Sequence, residues 1–217
     1  MSVTMKVLSS REEWLEHRKK YIGGSDASAV VGMNPWKTNV ALWQEKTGQV
    51  VPEDISDKPY VLYGNKAENH LRELFALDFP EYEVFYEENN MYLNDEYPWG
   101  HYSADGWLKD SEGRFGLLEI KTTNILQSMQ KEKWSGKIPD NYYVQILHGF
   151  LITGAEFVWL KAQLKTVFDG VPYLQTKHFY INRADVLDDI AYLAQEEKEF
   201  WQYIQSGKQP PLQLPEI

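Results

Sequence analysis

The segment Gly116-Leu117-Leu118-Glu119-Ile120-Lys121-Thr122 carries the sharpest chemical signal in the chain. It reads as a strand, and side chains on a strand alternate between faces. Glu119 and Lys121 therefore share one face, with Leu118 and Ile120 on the other. An acid and a lysine two apart can meet one small volume. Asp105 lies 14 residues upstream of Glu119, on the partner strand of an expected hairpin whose end brings its carboxylate beside Glu119. Two neighbouring carboxylates with no histidine ligand suit a hard cation, Mg²⁺ or its substitute Mn²⁺. Such an ion can activate water and stabilise charge on a phosphate in flight, and a nearby lysine can add positive charge or orient the water. The competing reading of Glu119-x-Lys121 is a salt-bridged strand facing water. Its place after Ser103-Ala104-Asp105-Gly106 favours the metal site.

Glu68 is the third carboxylate. It sits at the edge of the apolar stripe of its helix, with Leu71 and Phe75 at i+3 and i+7, which turns it towards the core. The alternative is an acid serving the helix dipole. Gln145 lies among apolar residues in Tyr142–Phe150. It reads either as a hydrogen-bonded core glutamine or as a residue that positions water, phosphate or the lysine. Arg18 and Ser25 flank Gly23-Gly24. Ser25 at a helix N-terminus offers a hydroxyl and free N–H groups to a phosphate, and Arg18 can pair with the same anion. Plain capping by Ser25 and a solvated Arg18 are the alternative. Trp14, Trp36 and Trp43 are candidates for base stacking or for the core.

These residues need a scaffold. Ser10 with Glu13 reads as a capping box opening a helix through Trp14 and Arg18. Ser25 caps a short helix to Val31, stopped by Gly32, and Thr38 caps Asn39–Thr47. Val50–Tyr60 reads as a loop, and Gly64–Phe79 as a helix. Alternating runs follow at Val84–Tyr86, Met91–Leu93, His101–Leu108 and Phe115–Thr122, the last two joined by the turn Lys109–Gly113. Asn124–Trp134 and Tyr142–Ile152 read as helices. Phe157–Leu164 and Tyr173–Ile181 read as strands parted by the turn Phe168–Pro172, before a closing helix Asp185–Ile204. With no repeat and no linker, residues 1–217 are expected to form one mixed α/β nuclease domain.

The chain has no cysteine, which excludes disulfides, zinc ribbons and cysteine-ligated iron–sulfur clusters. The N-terminus lacks a signal-peptide core, and no apolar run approaches membrane-span length. A cytoplasmic protein without a membrane partner is the expectation. The net charge of −10 argues against nucleic-acid binding if taken alone. Base is nevertheless dense in Arg18–Lys20 and at Lys131, Lys133 and Lys137, so a basic track can run across an acidic body.

Five short segments in order make a specific pattern. They are Arg18 followed by Tyr21-Ile22-Gly23-Gly24-Ser25-Asp26-Ala27, then Gly64-Asn65-Lys66-Ala67-Glu68, Ser103-Ala104-Asp105-Gly106, Leu118-Glu119-Ile120-Lys121 and Tyr142-Tyr143-Val144-Gln145. From Trp14 to about Gly154 the chain resembles the YqaJ-type viral recombinases, which include the lambda-exonuclease group of the PD-(D/E)XK nuclease superfamily. The resemblance implies a restriction-endonuclease-like core, a mixed central β-sheet flanked by helices. It implies metal binding by Asp105, Glu119 and the backbone carbonyl of Ile120, with Glu68 close by and Lys121 as catalytic lysine. Gln145 matches a glutamine of the closing motif, and Arg18, Ser25 and Ser103 match a pocket for a 5′-phosphate. The family often carries a second glutamine where this chain has Leu147, and a proline where it has Ala104. The implied activity is 5′→3′ digestion of one strand of linear duplex DNA, leaving a 3′ single-stranded tail for recombination by annealing. The implied partners are double-stranded DNA with a free end, a single-strand annealing protein, and two further copies in a ring-shaped trimer. Two other functions fit the residues less fully: an endonuclease of the same superfamily, and a non-catalytic DNA-binding relative.

Overall fold

The computed structural model describes residues 2–126 and 128–214. The chain opens on a strand that was not among the expected elements, β1 (Val3–Val7). Ser10 then caps α1 (Arg11–Arg18), its hydroxyl accepting from Glu13 N at 3.2 Å. The Glu13 carboxylate reaches past Ser10 to Ser9 N at 2.9 Å, so the reciprocal half of the capping box is shifted by one residue. A two-residue strand, β2 (Ile22–Gly23), leads straight into α2 (Gly24–Val30). The cap of α2 is Gly23, not Ser25. Asp26 Oδ2 accepts from Gly23 N at 3.1 Å and closes the turn, which leaves Ser25 inside the helix with its hydroxyl free for other work. Thr38 caps α3 (Asn39–Lys46) as expected, accepting from Ala41 N at 3.1 Å. The long helix α4 (Pro59–Asp78) begins at Pro59 rather than Gly64, because proline suits a first turn whose N–H groups have no helical acceptor.

The middle of the chain supplies β3 (Glu83–Phe85), β4 (Asn90–Asn94), β5 (Gly100–Tyr102), β6 (Gly106–Lys109) and β7 (Phe115–Asn124). Then come α5 (Ser128–Lys133), α6 (Asp140–Thr153), β8 (Phe157–Phe168), β9 (Val171–Asn182), a 3₁₀ turn (Arg183–Val186) and α7 (Leu187–Ser206). The expected helix over Asn124–Trp134 is shorter because β7 continues its parallel pairing with β8 as far as Asn124 opposite Lys165. Gln127, within that expectation, lies outside the described residues.

The strands form two mixed sheets rather than one, ordered β1-β4-β5-β2 and β3-β6-β7-β8-β9. The run His101–Leu108, which alternates like one strand, breaks at Ser103–Asp105 and passes from the first sheet to the second. Asn90 makes the break. Its side chain accepts from Ala104 N at 2.8 Å and donates to Ala104 O at 2.9 Å, taking the groups that a ladder partner would use.

In the second sheet, β6 and β7 form the expected hairpin, and α6 makes the crossover to the parallel strand β8. Asp169 and Gly170, both at positive φ, then turn β8 back into β9. Leu117, Val158 and Leu160 pack towards Phe150 and Leu151 of α6. Leu118, Ile120 and Phe157 pack towards Leu71 and Phe75 of α4. The strand β7 is thus covered on both faces, so a charge on it is buried and must find partners. Among the described residues no helix is long and apolar enough to cross a membrane.

Candidate functional site

The antiparallel register of β6 and β7 ends with Gly106 opposite Leu118, so Asp105 comes to lie next to Glu119. The Ile120 N–H donates to Asp105 Oδ2 at 2.8 Å and fixes that carboxylate at the strand end. Glu119 is 1% exposed. It and Lys121 do share a face, and Lys121 Nζ lies 2.5 Å from Glu119 Oε1. Gln145, reaching from α6, donates to the same oxygen at 2.6 Å. The Tyr102 hydroxyl, reaching from the first sheet, donates to Oε2. Gln145 is thus hydrogen-bonded to the central carboxylate and lines the cleft beside it.

Glu68 approaches from α4. Arg72, one turn later, donates to Glu68 Oε1 at 2.7 Å and to the Asp105 carbonyl at 2.5 Å, while its guanidinium lies 3.5 Å over the Tyr86 ring. One arginine thus ties the third acid to the backbone of the first. The sequence signal for it was the i,i+4 spacing of Glu68 and Arg72, which by itself reads as a solvated helix pair. The contact with Asp105 is tertiary and has no local signature. Tyr102 was missed for the same reason.

Three acids face two cations here, and the surplus registers as perturbed protonation. Burial, then the Glu119 and Glu68 carboxylates, push Asp105 well above the usual carboxylate range, against the pull of Lys121 and the Ile120 N–H. Burial and Glu119 also raise Glu68, against Arg72 and Lys121. Burial lowers Lys121, but the Glu119 and Asp105 carboxylates more than reverse this and hold it protonated. Among the described residues no three acidic or histidine side chains are gathered closely enough to enclose a cation by themselves. The oxygens of Glu119 and Glu68 are turned to Lys121, Gln145, Tyr102 and Arg72. The donor set nonetheless fits a hard ion: carboxylate oxygens without sulfur or imidazole, with one uncompensated negative charge at a low-dielectric strand end.

The acids open onto a cleft of about 280 Å³, whose lining includes Arg18, Ser25, Glu68, Ser103, Asp105 and Gln145. Arg18 Nη2 donates to Ser25 Oγ at 3.1 Å. Trp14, in the core at 8% exposure, donates through its indole N–H to Ser103 Oγ at 2.9 Å and to Asn90 O at 3.2 Å. The residues read from the sequence as a phosphate pocket and as an acid cluster thus share one cavity, with Glu119 and Lys121 behind its wall. Trp14 and Trp43 are core residues, whereas Trp36 is 77% exposed and lines no part of this cleft. Leu147, at the place of the second glutamine, is buried in the main hydrophobic cluster.

Solved structures that superpose on this fold include exonucleases by name. An alkaline exonuclease from Laribacter hongkongensis superposes with a TM-score of 0.65 over 91% of this chain and 94% of its own, at 18% identity. The same enzyme in complex with dAMP gives 0.64. A phage-related exonuclease from Haemophilus somnus 129PT gives 0.50 over 86% of this chain and 96% of its own, at 11% identity. At these identities the likeness defines the fold. Residues 13–156 match the model of the YqaJ-like viral recombinase domain, and the chain belongs to that family. YqaJ of Bacillus subtilis (strain 168) is 34% identical over 203 residues, 93% of this chain and 59% of that protein. The chain therefore spans about three fifths of the length of this relative.

Proposed function

We propose that the chain is a divalent-metal-dependent deoxyribonuclease that digests one strand of linear duplex DNA from its 5′ end. One observation carries the reading: Asp105, Glu119 and Lys121 meet where β6 and β7 part, beside the cleft that Arg18, Ser25 and Ser103 also line. Family membership and the exonuclease fold support it.

Asp105, Glu119 and the Ile120 carbonyl would hold Mg²⁺ or Mn²⁺, with Glu68 nearby. The bound ion supplies charge neutralisation at the scissile phosphate and a more acidic water. Lys121, kept protonated by its two carboxylates, offers N–H donors to a phosphate oxygen or to the attacking water. Gln145 and Tyr102 hold Glu119 in one orientation beside Asp105. Arg72 does the same for Glu68. Arg18, Ser25 and Ser103 bind the 5′-terminal phosphate through one guanidinium and two hydroxyls, and retention of each new end sets the direction of travel. A trimeric ring, with basic residues inward and acid outward, would reconcile the charge of −10 with a polyanionic substrate. Delivery of the 3′ tail to a single-strand annealing protein belongs to the same reading.

The test is digestion of a linear duplex labelled at either 5′ or 3′ ends, with Mg²⁺ and with EDTA. The 5′ label should be released first, only with metal, and more slowly from a 5′-hydroxyl end. A covalently closed circle should stay intact. Release from the 3′ end contradicts the polarity, cutting of the circle favours an endonuclease, and no cleavage under any condition removes the enzymatic reading.

A further inference from the structure

We propose that Arg11 and Arg18 form a two-point phosphate clamp on Trp14, seating the terminal phosphate of a DNA strand at Arg18 and the next phosphate of that strand at Arg11. The inference rests on the reading of the cleft as the seat of a DNA end.

Arg11, Trp14 and Arg18 stand at i, i+3 and i+7 of α1, on one stripe of the helix. The guanidinium of Arg11 lies 4.5 Å from the Trp14 ring centroid and that of Arg18 lies 4.7 Å from it. The ring is a firm platform, being buried and tied through its N–H to Ser103 and Asn90. A guanidinium stacked by its face on an aromatic ring keeps its N–H edges for an anion. Both arginines line the cleft.

Neither has an ion-pair partner among the described residues, although the chain is rich in acid. The other cations near the cleft are taken. Arg72 is held by Glu68, Lys121 by Glu119, and Lys46 by Asp26 at 2.7 Å. Among the described residues Arg18 donates one side-chain hydrogen bond, to the Ser25 hydroxyl, and the edges of Arg11 meet no acceptor. A second, independent sign of a missing ligand lies in the same wall. His101 is 3% exposed, lines the cleft, and has no hydrogen-bond partner at either ring nitrogen. A buried imidazole with both nitrogens unmet is costly unless something polar enters.

Placement decides for two phosphates over one. Arg11 stands about one helical turn before Trp14 and Arg18 about one turn after it, so the two guanidiniums flank the same ring, each within 4.7 Å of its centroid. The two forks thus suit neighbouring phosphates of a strand rather than a single group. Ser25 lies at the Arg18 end through its bond to Arg18, and Ser103 is held against the shared ring by the Trp14 N–H, so the Arg18 end, with a hydroxyl beside its guanidinium, suits the terminal phosphate, which has more oxygens to satisfy.

The experiment is equilibrium binding by fluorescence anisotropy in EDTA, where hydrolysis is not expected. Three duplexes are compared: one with a 5′-phosphate, one with a 5′-hydroxyl, and one with a 5′-phosphate and a neutral methylphosphonate at the first internucleotide linkage. Wild type should lose about tenfold in affinity with each change, the order expected for one charge-assisted contact. Arg11→Gln should bind the first duplex about tenfold more weakly and no longer distinguish the methylphosphonate, while keeping its preference for the 5′-phosphate. Its plot of log affinity against log salt should be shallower by about 0.7 to 0.9, the loss of one phosphate contact. Arg11→Met, which keeps the stem over Trp14, should behave alike, so that lost packing is separated from lost contact. Arg18→Gln should show the reverse pattern. Wild-type behaviour of both Arg11 variants, with the 5′-phosphate preference intact, overturns the clamp but leaves the DNA-end reading standing. Absence of any end preference in wild type overturns both.

Discussion

Helix α6 turns two polar side chains inward, and they meet two buried charge centres of opposite character. Gln145 faces the cleft, where Glu68, Asp105 and Glu119 outnumber Arg72 and Lys121. His148, three residues on, is fully buried and 2.6 Å from Glu197 of α7, also fully buried. His148 donates its other ring N–H to the His101 carbonyl at 2.9 Å, and Trp99 completes Glu197 with an indole N–H at 3.1 Å. The second centre is sealed, one histidine against one carboxylate with the hydrogen bonds filled. The first is open and one negative charge in excess. A sealed buried pair holds helices in place. An unbalanced one beside a cleft favours a cation, which is what the proposed metal site asks of it.

The comparison is sharpest under substitution. Asp105→Asn keeps an acceptor for the Ile120 N–H but removes the surplus charge. Hydrolysis of linear duplex should fall by about 10³-fold, the scale of a lost electrostatic group, while the melting temperature holds or rises. A clear drop in melting temperature would show the acid to be structural. Glu197→Gln should do the opposite. It strands a buried imidazole and should cost about 3–5 kcal/mol in denaturant unfolding, with the rate per folded molecule unchanged. A loss of rate without loss of stability would erase the distinction between the centres. Gln145→Ala should lower the rate about 10- to 100-fold, as removal of a group that orients a ligand does, with little change in stability; an unaltered rate would return Gln145 to the core.

The smallest expected effect is one of pH. Burial depresses the His148 pKa, but the Glu197 carboxylate, the hydrogen bond to it and the His101 carbonyl outweigh burial and raise it. A raised histidine contributes stability that is fully present below its ordinary value, about 6.5, and is lost as pH climbs through the folded value. Melting temperature should therefore decline on the alkaline side, and Glu197→Gln should flatten that decline. An equal slope in both proteins would show that His148 is not charged in the fold.

What the sequence disclosed follows from the range of the physics involved. The pairing of Glu119 with Lys121 is a period-two property of one strand, and it was legible. The β6–β7 hairpin is likewise local, whereas the edge position of Glu68 left a helix-dipole acid as the stronger local reading. The break at Ser103–Asp105 was not legible, because Asn90, 14 residues earlier, makes it from another strand. β1 was missed although Val3, Met5 and Val7 alternate with Thr4 and Lys6; the run is short, all five residues are exposed, and it is held by its pairing with β4. The cap of α2 went to Gly23 because Asp26 supplies the closing carboxylate that the pattern had assigned to the Ser25 hydroxyl. Arg72, Tyr102 and the His148–Glu197 pair are contacts between elements, invisible to periodicity. The site was readable where one element makes it, and unreadable where elements must meet.

Calorimetric titration of Mg²⁺ into the wild-type protein, Asp105→Asn and Glu197→Gln tests the account most directly. It predicts saturable binding to wild type and to folded Glu197→Gln, and its loss in Asp105→Asn. Equal binding to wild type and Asp105→Asn would contradict it, because the surplus carboxylate would then not be what draws the ion.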